Sequence, residues 1–287
     1  MFEFAKYHGT GNDFVMVEDL EGRISIPTEL VAALCDRRFG IGADGLIRVT
    51  RPDDADFFMD YYNADGSAAE MCGNGIRCLG KFAHDRGLTE KTELAVDTRG
   101  GVKHLSIRTE AGIVSSVTVD MGSPAFGKGD IPMVGTAEDT FLMRNVHAAG
   151  RDFTGSAVSM GNPHLVLFVE EDPANLAVEL FGAELEVHEM FPQKTNIEFA
   201  RVDDDRIDVR VWERGIGETM ACGTGACAVL VAANEAGLIG PSAQVKFPGG
   251  LLDVERTQDG PVLLTGPAEH VFDGTIDDAW LARREIR

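Results

Sequence analysis

Residues Glu213–Ala228 read E-R-G-I-G-E-T-M-A-C-G-T-G-A-C-A. Cys222 stands at the mouth of a glycine turn, Gly223-Thr224-Gly225. A run of small apolar residues follows to about Ala236, which predicts a buried helix that begins at the cysteine. Such a layout aims backbone N–H groups and the positive end of a helix dipole at whatever lies beside the sulfur. On that ground alone the Cys222 thiol is expected to have a lowered pKa, which would make it a base or nucleophile near neutrality. Glu213 and Arg214, an anion and a planar cation, precede it.

The stretch has a twin. Residues Met71–Cys78 read M-C-G-N-G-I-R-C, and Cys72 precedes Cys222 by 150 positions, the difference between 72 and 222. The same offset pairs Asn12 with Asn162, Asn63 with Glu213, and Gly87-Leu88 with Gly237-Leu238. Glycine at that last place is a common helix stop. Several matches at one offset predict two homologous halves, each presenting a cysteine at a helix N-terminus.

Working outward, apolar/polar alternation predicts strands in the first half over 2–7, 14–17, 46–50, 56–63, 92–97, 103–109 and 113–120. A helix opens at Pro27-Thr28, with Thr28 as the expected N-cap. The Gly/Pro-rich run 122–132 marks the domain boundary. The second half repeats the order, with strands over 153–160, 164–169, 196–202, 207–211 and 262–264 and a helical stretch over 173–180. It also holds a hairpin turned by Phe247-Pro248-Gly249-Gly250. The expected domains are therefore 1–121 and 122–267, with 268–287 returning to the first. Strands dominate both halves, each with one long apolar helix that belongs inside a wrapped sheet; the class is α+β.

Composition narrows the function. A formal charge of −21 opposes nucleic acid, which needs a basic footprint, and opposes an anionic membrane surface. No apolar run reaches the ~18 residues of a membrane helix. The start M-F-E-F-A-K carries no signal-peptide pattern, so a cytoplasmic location is expected. The five cysteines are then thiols rather than structural disulfides.

Metal binding fits poorly. The cysteine spacings lack a C-x-x-C knuckle, and His8, His84 and His164 form no ligand cluster. No cofactor motif is present either, since G-T-G or G-N-G alone is too weak to indicate a nucleotide. Cys35, Cys78 and Cys227, inside helical runs, read as small buried side chains. Cys72 and Cys222 as an equivalent pair suggest two-base chemistry at a carbon. One thiolate removes a proton from one face, the other thiol returns one to the opposite face, and a stereocentre inverts. Helix N-termini would stabilise charge that develops on an adjacent carboxylate. A non-catalytic two-lobed amino-acid-binding protein and a thiol-redox role remain as alternatives.

The strings H-G-T-G-N-D-F at His8, N-A-D-G-S at Asn63, M-C-G-N-G-I-R-C at Met71, G-N-P-H at Gly161 and E-R-G-I-G-E-T-M-A-C-G-T-G at Glu213 resemble diaminopimelate epimerase. The resemblance spans the whole chain. It implies two similar domains, each a mixed β-sheet around a central helix, with the active site in the interdomain cleft. It further implies a cofactor-independent enzyme, commonly a homodimer, that interconverts LL- and meso-diaminopimelate for lysine and peptidoglycan precursors.

By that resemblance Cys72 and Cys222 are the acid/base thiols. The amides of Gly73, Asn74, Gly223 and Thr224 would hold the carboxylate at the reacting carbon. Asn12, Asn63, Asn162, Asn196, Glu213 and Arg214 would hold the ammonium groups and the distal carboxylate. His164 and Glu213 would tune the thiols. One departure is Gly45, where some relatives carry glutamine. A proline racemase or hydroxyproline epimerase is the nearest rival, but those typically carry histidine where this chain has Asn74 and lack the Glu213-Arg214 pair.

Overall fold

The computed structural model describes residues 1–258 and 260–284. In chain order the first unit holds β1 (Phe2–Gly9), β2 (Asn12–Glu18), α1 (Thr28–Cys35), β3 (Gly45–Thr50), β4 (Phe57–Asn63), α2 (Gly73–Asp85), β5 (Glu93–Thr98), β6 (Lys103–Glu110) and β7 (Ile113–Asp120). The second holds β8 (Arg144–Ala148), β9 (Arg151–Ser159), β10 (Pro163–Phe168), α3 (Val178–Glu186), β11 (Asn196–Asp203), β12 (Arg206–Glu213), β13 (Gly217–Thr219), α4 (Gly223–Glu235), β14 (Ser242–Phe247), β15 (Gly250–Arg256) and β16 (Val262–Gly266). The chain ends with β17 (Glu269–Ile276) and α5 (Asp278–Ala282). By compactness one unit is 1–119 with 266–287, and the other is 120–265.

Strand pairing makes the duplication explicit. In the first unit the order is β17-β1-β2-β3-β4-β5-β6-β7, with β2–β3 and β4–β5 parallel and the other neighbours antiparallel. In the second it is β8-β9-β10-β11-β12-β14-β15-β16, with β10–β11 and β12–β14 parallel and the rest antiparallel. The two sequences of pairing sense are identical, and β13 is a short addition beside β12. The role of β8, first in its unit along the chain, is taken in the other unit by β17, contributed from the chain's end. Each parallel pair is joined by a helical crossover, as parallel pairing requires. The mixed-sheet, two-domain α+β reading therefore holds.

Each sheet is covered on both faces. On one side of the first, Leu30, Val31 and Leu34 of α1 pack with Val15, Val17 and Leu46. The corresponding side of the second packs Val178 and Leu185 of α3 with Leu165, Leu167, Ile197 and Phe199. On the other side lie α2 and α4, whose residues 73–83 and 225–233 are buried throughout. No helix among the described residues is long and apolar enough to cross a membrane.

Two local expectations are corrected. Helix α1 is capped by Pro27, not Thr28. Pro27 is extended (φ −69°, ψ 153°) and its carbonyl accepts from the amides of Leu30 and Val31 at 3.0 and 3.3 Å. The stretch 173–180 is not one helix but a 3₁₀ turn at Pro173–Asn175 followed by α3. Arg210 supplies the reason: its guanidinium donates to the carbonyls of Pro173, Ala174 and Leu176 at 3.1, 3.2 and 3.0 Å. Those carbonyls are thus taken by a side chain at the place where a continuous helix would need them. Strands β8 and β13 were not expected from the sequence.

Candidate active site

Cys72 and Cys222 are the N-cap residues of α2 and α4. Both are extended, at φ −135°, ψ 120° and φ −125°, ψ 121°, and each carbonyl accepts the first helical N–H, from Ile76 and Ala226, at 2.9 Å. Both helices end alike. The amides of Gly87 and Leu88 bond the carbonyls of His84 and Ala83, and those of Gly237 and Leu238 bond the carbonyls of Asn234 and Ala233, all at 2.9–3.0 Å. This is a Schellman stop, and it requires the positive φ of +65° and +70° that the two glycines adopt. The first turn of each helix is Gly73-Asn74-Gly75 or Gly223-Thr224-Gly225, directly after the cysteine.

In the first unit Cys72 is half-buried and its thiol donates to Asn12 Oδ1 at 3.4 Å, an oxygen that also accepts from Asn74 Nδ2 at 3.3 Å. Asn12 is fixed from behind by Nδ2 on Asp44 Oδ2 at 2.7 Å. Asp44 and Asp13 are in turn clamped by Arg37, and Asp13 also by Lys6 at 2.7 Å. Burial would raise the Asp13 pKa, but the two cations outweigh it and hold the carboxyl well below the usual range. Arg77 lies fully buried under the turn and donates to Gly73 O, Asn74 Oδ1 and Thr10 Oγ1 at 2.9–3.1 Å. Asn63, at the end of β4, bonds Ser67 Oγ at 3.0 Å.

In the second unit Cys222 is buried, at 6% exposure. Its sulfur accepts from the Gly225 amide at 3.4 Å and meets Thr224 Oγ1 at 3.4 Å. Asn162 Nδ2 reaches the same Thr224 hydroxyl at 3.3 Å, and Asn162 Oδ1 is 2.9 Å from His164 Nε2. The other ring nitrogen of His164 is 2.7 Å from Glu198 Oε1, and both residues are wholly buried. Glu213 accepts from Thr219 Oγ1 at 2.5 Å. Its pKa is raised, first by burial and further by the charge of Glu198, while Thr219, Cys222 and His164 act the other way.

The Cys222 thiol overturns one expectation. Its pKa is not lowered by the helix terminus but raised well above the ordinary value of 9.0. Burial is the largest cause, followed by the charges of Glu213 and Glu198. The Thr224 hydroxyl and Gly225 amide oppose them without prevailing. Desolvation and two nearby anions outweigh the partial charge of a helix end.

Two other positions take unexpected settings. Asn196 donates to Pro163 O at 2.8 Å and accepts from the Arg214 amide at 2.9 Å, so its side chain ties β10 to the turn after β12. Arg214 itself is exposed, with Nη1 3.4 Å from Gln193 O. By strand register Gly45 is the counterpart of Asn196: Phe14 pairs Gly45, and His164, 150 positions after Phe14, pairs Asn196. A Cβ at Gly45 would lie 2.5 Å from Tyr62 O and 2.7 Å from Tyr61 Cε2, so the close approach of β4 excludes a larger side chain unless both shift. Sequence reasoning missed Glu198 altogether. Among the described residues no group of three or more His, Cys, Asp or Glu is placed to hold a metal ion.

The fold is shared with solved proteins of several names, among them a proline racemase, a phenazine biosynthesis protein and a methylitaconate isomerase. A solved probable proline racemase from Agrobacterium radiobacter K84 superposes with a TM-score of 0.72 over 97% of this chain and 93% of its own, at 15% identity. Sequence comparison is more particular. A family model described as diaminopimelate epimerase matches residues 4–127 and 156–271. The chain is 44% identical over 277 residues to a diaminopimelate epimerase from Methanococcus maripaludis, covering 96% of this chain and 99% of that protein. It is 45% identical over 283 residues to one from Agathobacter rectalis, with coverage of 96% and 99%. The chain belongs to the diaminopimelate epimerase family.

Proposed function

We propose that this protein is a cofactor-independent epimerase that interconverts LL- and meso-2,6-diaminopimelate, supplying lysine and peptidoglycan precursors. The observation that carries the reading is the matched pair of cysteines, Cys72 and Cys222, each capping a buried helix of a duplicated fold. One sulfur, as thiolate, takes the α-hydrogen as a proton and leaves the electron pair on the carbon and its carboxylate. The other, as thiol, gives a proton to the opposite face. The stereocentre inverts, and thiol and thiolate exchange places. Burial and the charges of Glu213 and Glu198 hold the proton on Cys222, which suits that thiol to the donor's part.

N–H groups of the first helical turns, at Gly73, Asn74, Gly223 and Thr224, stabilise charge developing on the substrate's α-carboxylate. Asn12 and Asn162, held from behind by Asp44 and His164, are rigid enough to orient an ammonium group, with Asn63 and Glu213 at the corresponding strand ends. Arg214 clamps the distal carboxylate with its planar fork, while Asn196 fixes its backbone. On the resemblance, the protein works as a homodimer in the cytoplasm.

The test is specificity without additives. In metal-free, pyridoxal-free reducing buffer the protein should epimerise LL-diaminopimelate. Lysine, which lacks the distal carboxylate, should be at least roughly a thousand-fold poorer in kcat/KM, because a site built to hydrogen-bond a group rejects analogues without it by about 10⁴ or more. Lysine within ten-fold would make this a broad amino-acid racemase and remove Arg214 from the distal clamp.

A further inference from the structure

The register that equates the two sheets also shows where they differ chemically. Met16 pairs Ile47 in the first, and Val166 pairs Glu198 in the second, so Ile47 and Glu198 occupy the same place. The glycine turns above agree. A Cβ built on Gly75 would meet Ile47 Cδ1 at 2.7 Å, Met59 Cε at 2.9 Å and Phe14 Cζ at 3.4 Å. A Cβ on Gly225, 150 positions on, would meet Glu198 Oε1 at 2.8 Å and the Cys222 sulfur at 3.4 Å. His164 stands where the first unit has Phe14. Where the sheet meets Gly75 the neighbours are therefore hydrocarbon, and where it meets Gly225 they are a carboxylate held on an imidazole.

The fold does not need that pair. An apolar side chain fills the equivalent position in the first unit, and replacing both members of a buried hydrogen-bonded pair by apolar groups of similar shape can be neutral or stabilising. Glu198 also leaves its Oε2 buried with no hydrogen-bond partner among the described residues. That costs free energy, and such an atom in a folded protein calls for a reason. The reason offered by the geometry is its neighbour. Four titratable groups face one another here: Cys222 from α4, His164 from β10, Glu198 from β11 and Glu213 from β12. From His164 a hydrogen-bonded chain runs through Asn162 to Thr224, which touches the sulfur.

We propose that Glu198 is a positioning residue for the Cys222 thiol: held on His164 beneath the Gly225 turn, it orients the Asn162–Thr224 chain and keeps that sulfur in its proton-carrying form, so the two thiols are unequal at rest. The inference deepens the epimerase reading and rests on it for the use made of the proton.

Its test needs no substrate. Alkylation of Cys222 by iodoacetamide is followed against pH by peptide mass mapping, with Cys72 mapped in the same samples. In the unaltered protein the Cys222 midpoint should lie above that of free cysteine. In Glu198→Gln it should fall while the Cys72 profile stays in place. Below both midpoints Cys222 should then react about three-fold faster for each pH unit of the fall, because the tenfold gain in thiolate is partly offset by its lower nucleophilicity. Epimerase kcat should drop while KM changes little.

Glu198→Ile, carrying the residue of the equivalent position, is the second variant should the amide disturb folding, and it should shift the midpoint in the same direction. An unchanged Cys222 profile in a folded variant would overturn the proposal, as would a midpoint in the unaltered protein at or below that of free cysteine. Failure of the diaminopimelate assay alone would strike the epimerase reading and leave the thiol measurement intact.

Discussion

The Cys72 half and the Cys222 half share strand order, pairing sense, helix span and both helix caps, yet they handle their thiols differently. What they share is what backbone geometry demands: an extended cap, glycine at the third helical position where the sheet comes close, and glycine with positive φ at the stop. Where they differ, geometry is indifferent. Buried Arg77 lies under the first turn, while the residue 150 positions later, Cys227, is buried core in the second. Phe14 and Ile47 of the first occupy the positions that His164 and Glu198 hold in the second. Duplication fixes a scaffold for two sulfurs, and the side chains behind them give each its own surroundings.

The sharpest way to break the comparison is to remove one sulfur at a time. Cys72→Ala and Cys222→Ala should each lower kcat for epimerisation by at least about 10²- to 10⁴-fold, the usual contribution of a positioned acid or base. Near-normal turnover by either folded variant would mean that one half only frames the site.

A smaller effect appears in stability. Burial, the leading cause in each case, raises the thiol pKa of Cys35 and Cys78 in the first unit to about 12, and that of Cys222 in the second well above 9.0. A group whose folded pKa is raised stabilises the fold fully below its unfolded value, and that stability is lost as pH rises through the folded value. The melting temperature should therefore decline progressively from about pH 9 towards pH 12, by roughly 2–4 °C per kcal/mol lost. Replacing Cys78 by alanine should make the decline shallower at the same ionic strength. A decline equally steep without Cys78 would place its origin elsewhere.

Much of this was legible in the sequence because the signals are local. A cysteine before Gly-x-Gly and a Gly-Leu stop define each central helix, and the fixed offset reveals the repeat. Less legible was anything decided by long-range packing. The run N-I-E-F-A at Asn196 alternates, and an acid in an alternating strand ordinarily faces water. Here β11 is covered on both faces, so Ile197 and Phe199 meet α3 while Glu198 turns under α4. The Cys222 pKa runs against the sequence expectation for the same reason: the helix end is visible in the sequence, but the burial and the two carboxylates are assembled from β11 and β12. The break in the helical stretch 173–180 is set by Arg210, over thirty positions away, which takes carbonyls there.

Whether two thiols invert one α-carbon from opposite faces is decided in deuterated water. The protein is incubated with LL-diaminopimelate, and α-deuterium is followed separately in substrate and product at low conversion. A donor thiol distinct from the acceptor, and equilibrated with solvent, predicts deuterium at the inverted carbon of meso-diaminopimelate while unreacted LL-diaminopimelate stays protiated. Deuterium entering the unreacted substrate as fast as the product would mean that a single group removes and returns the proton, and would contradict the account.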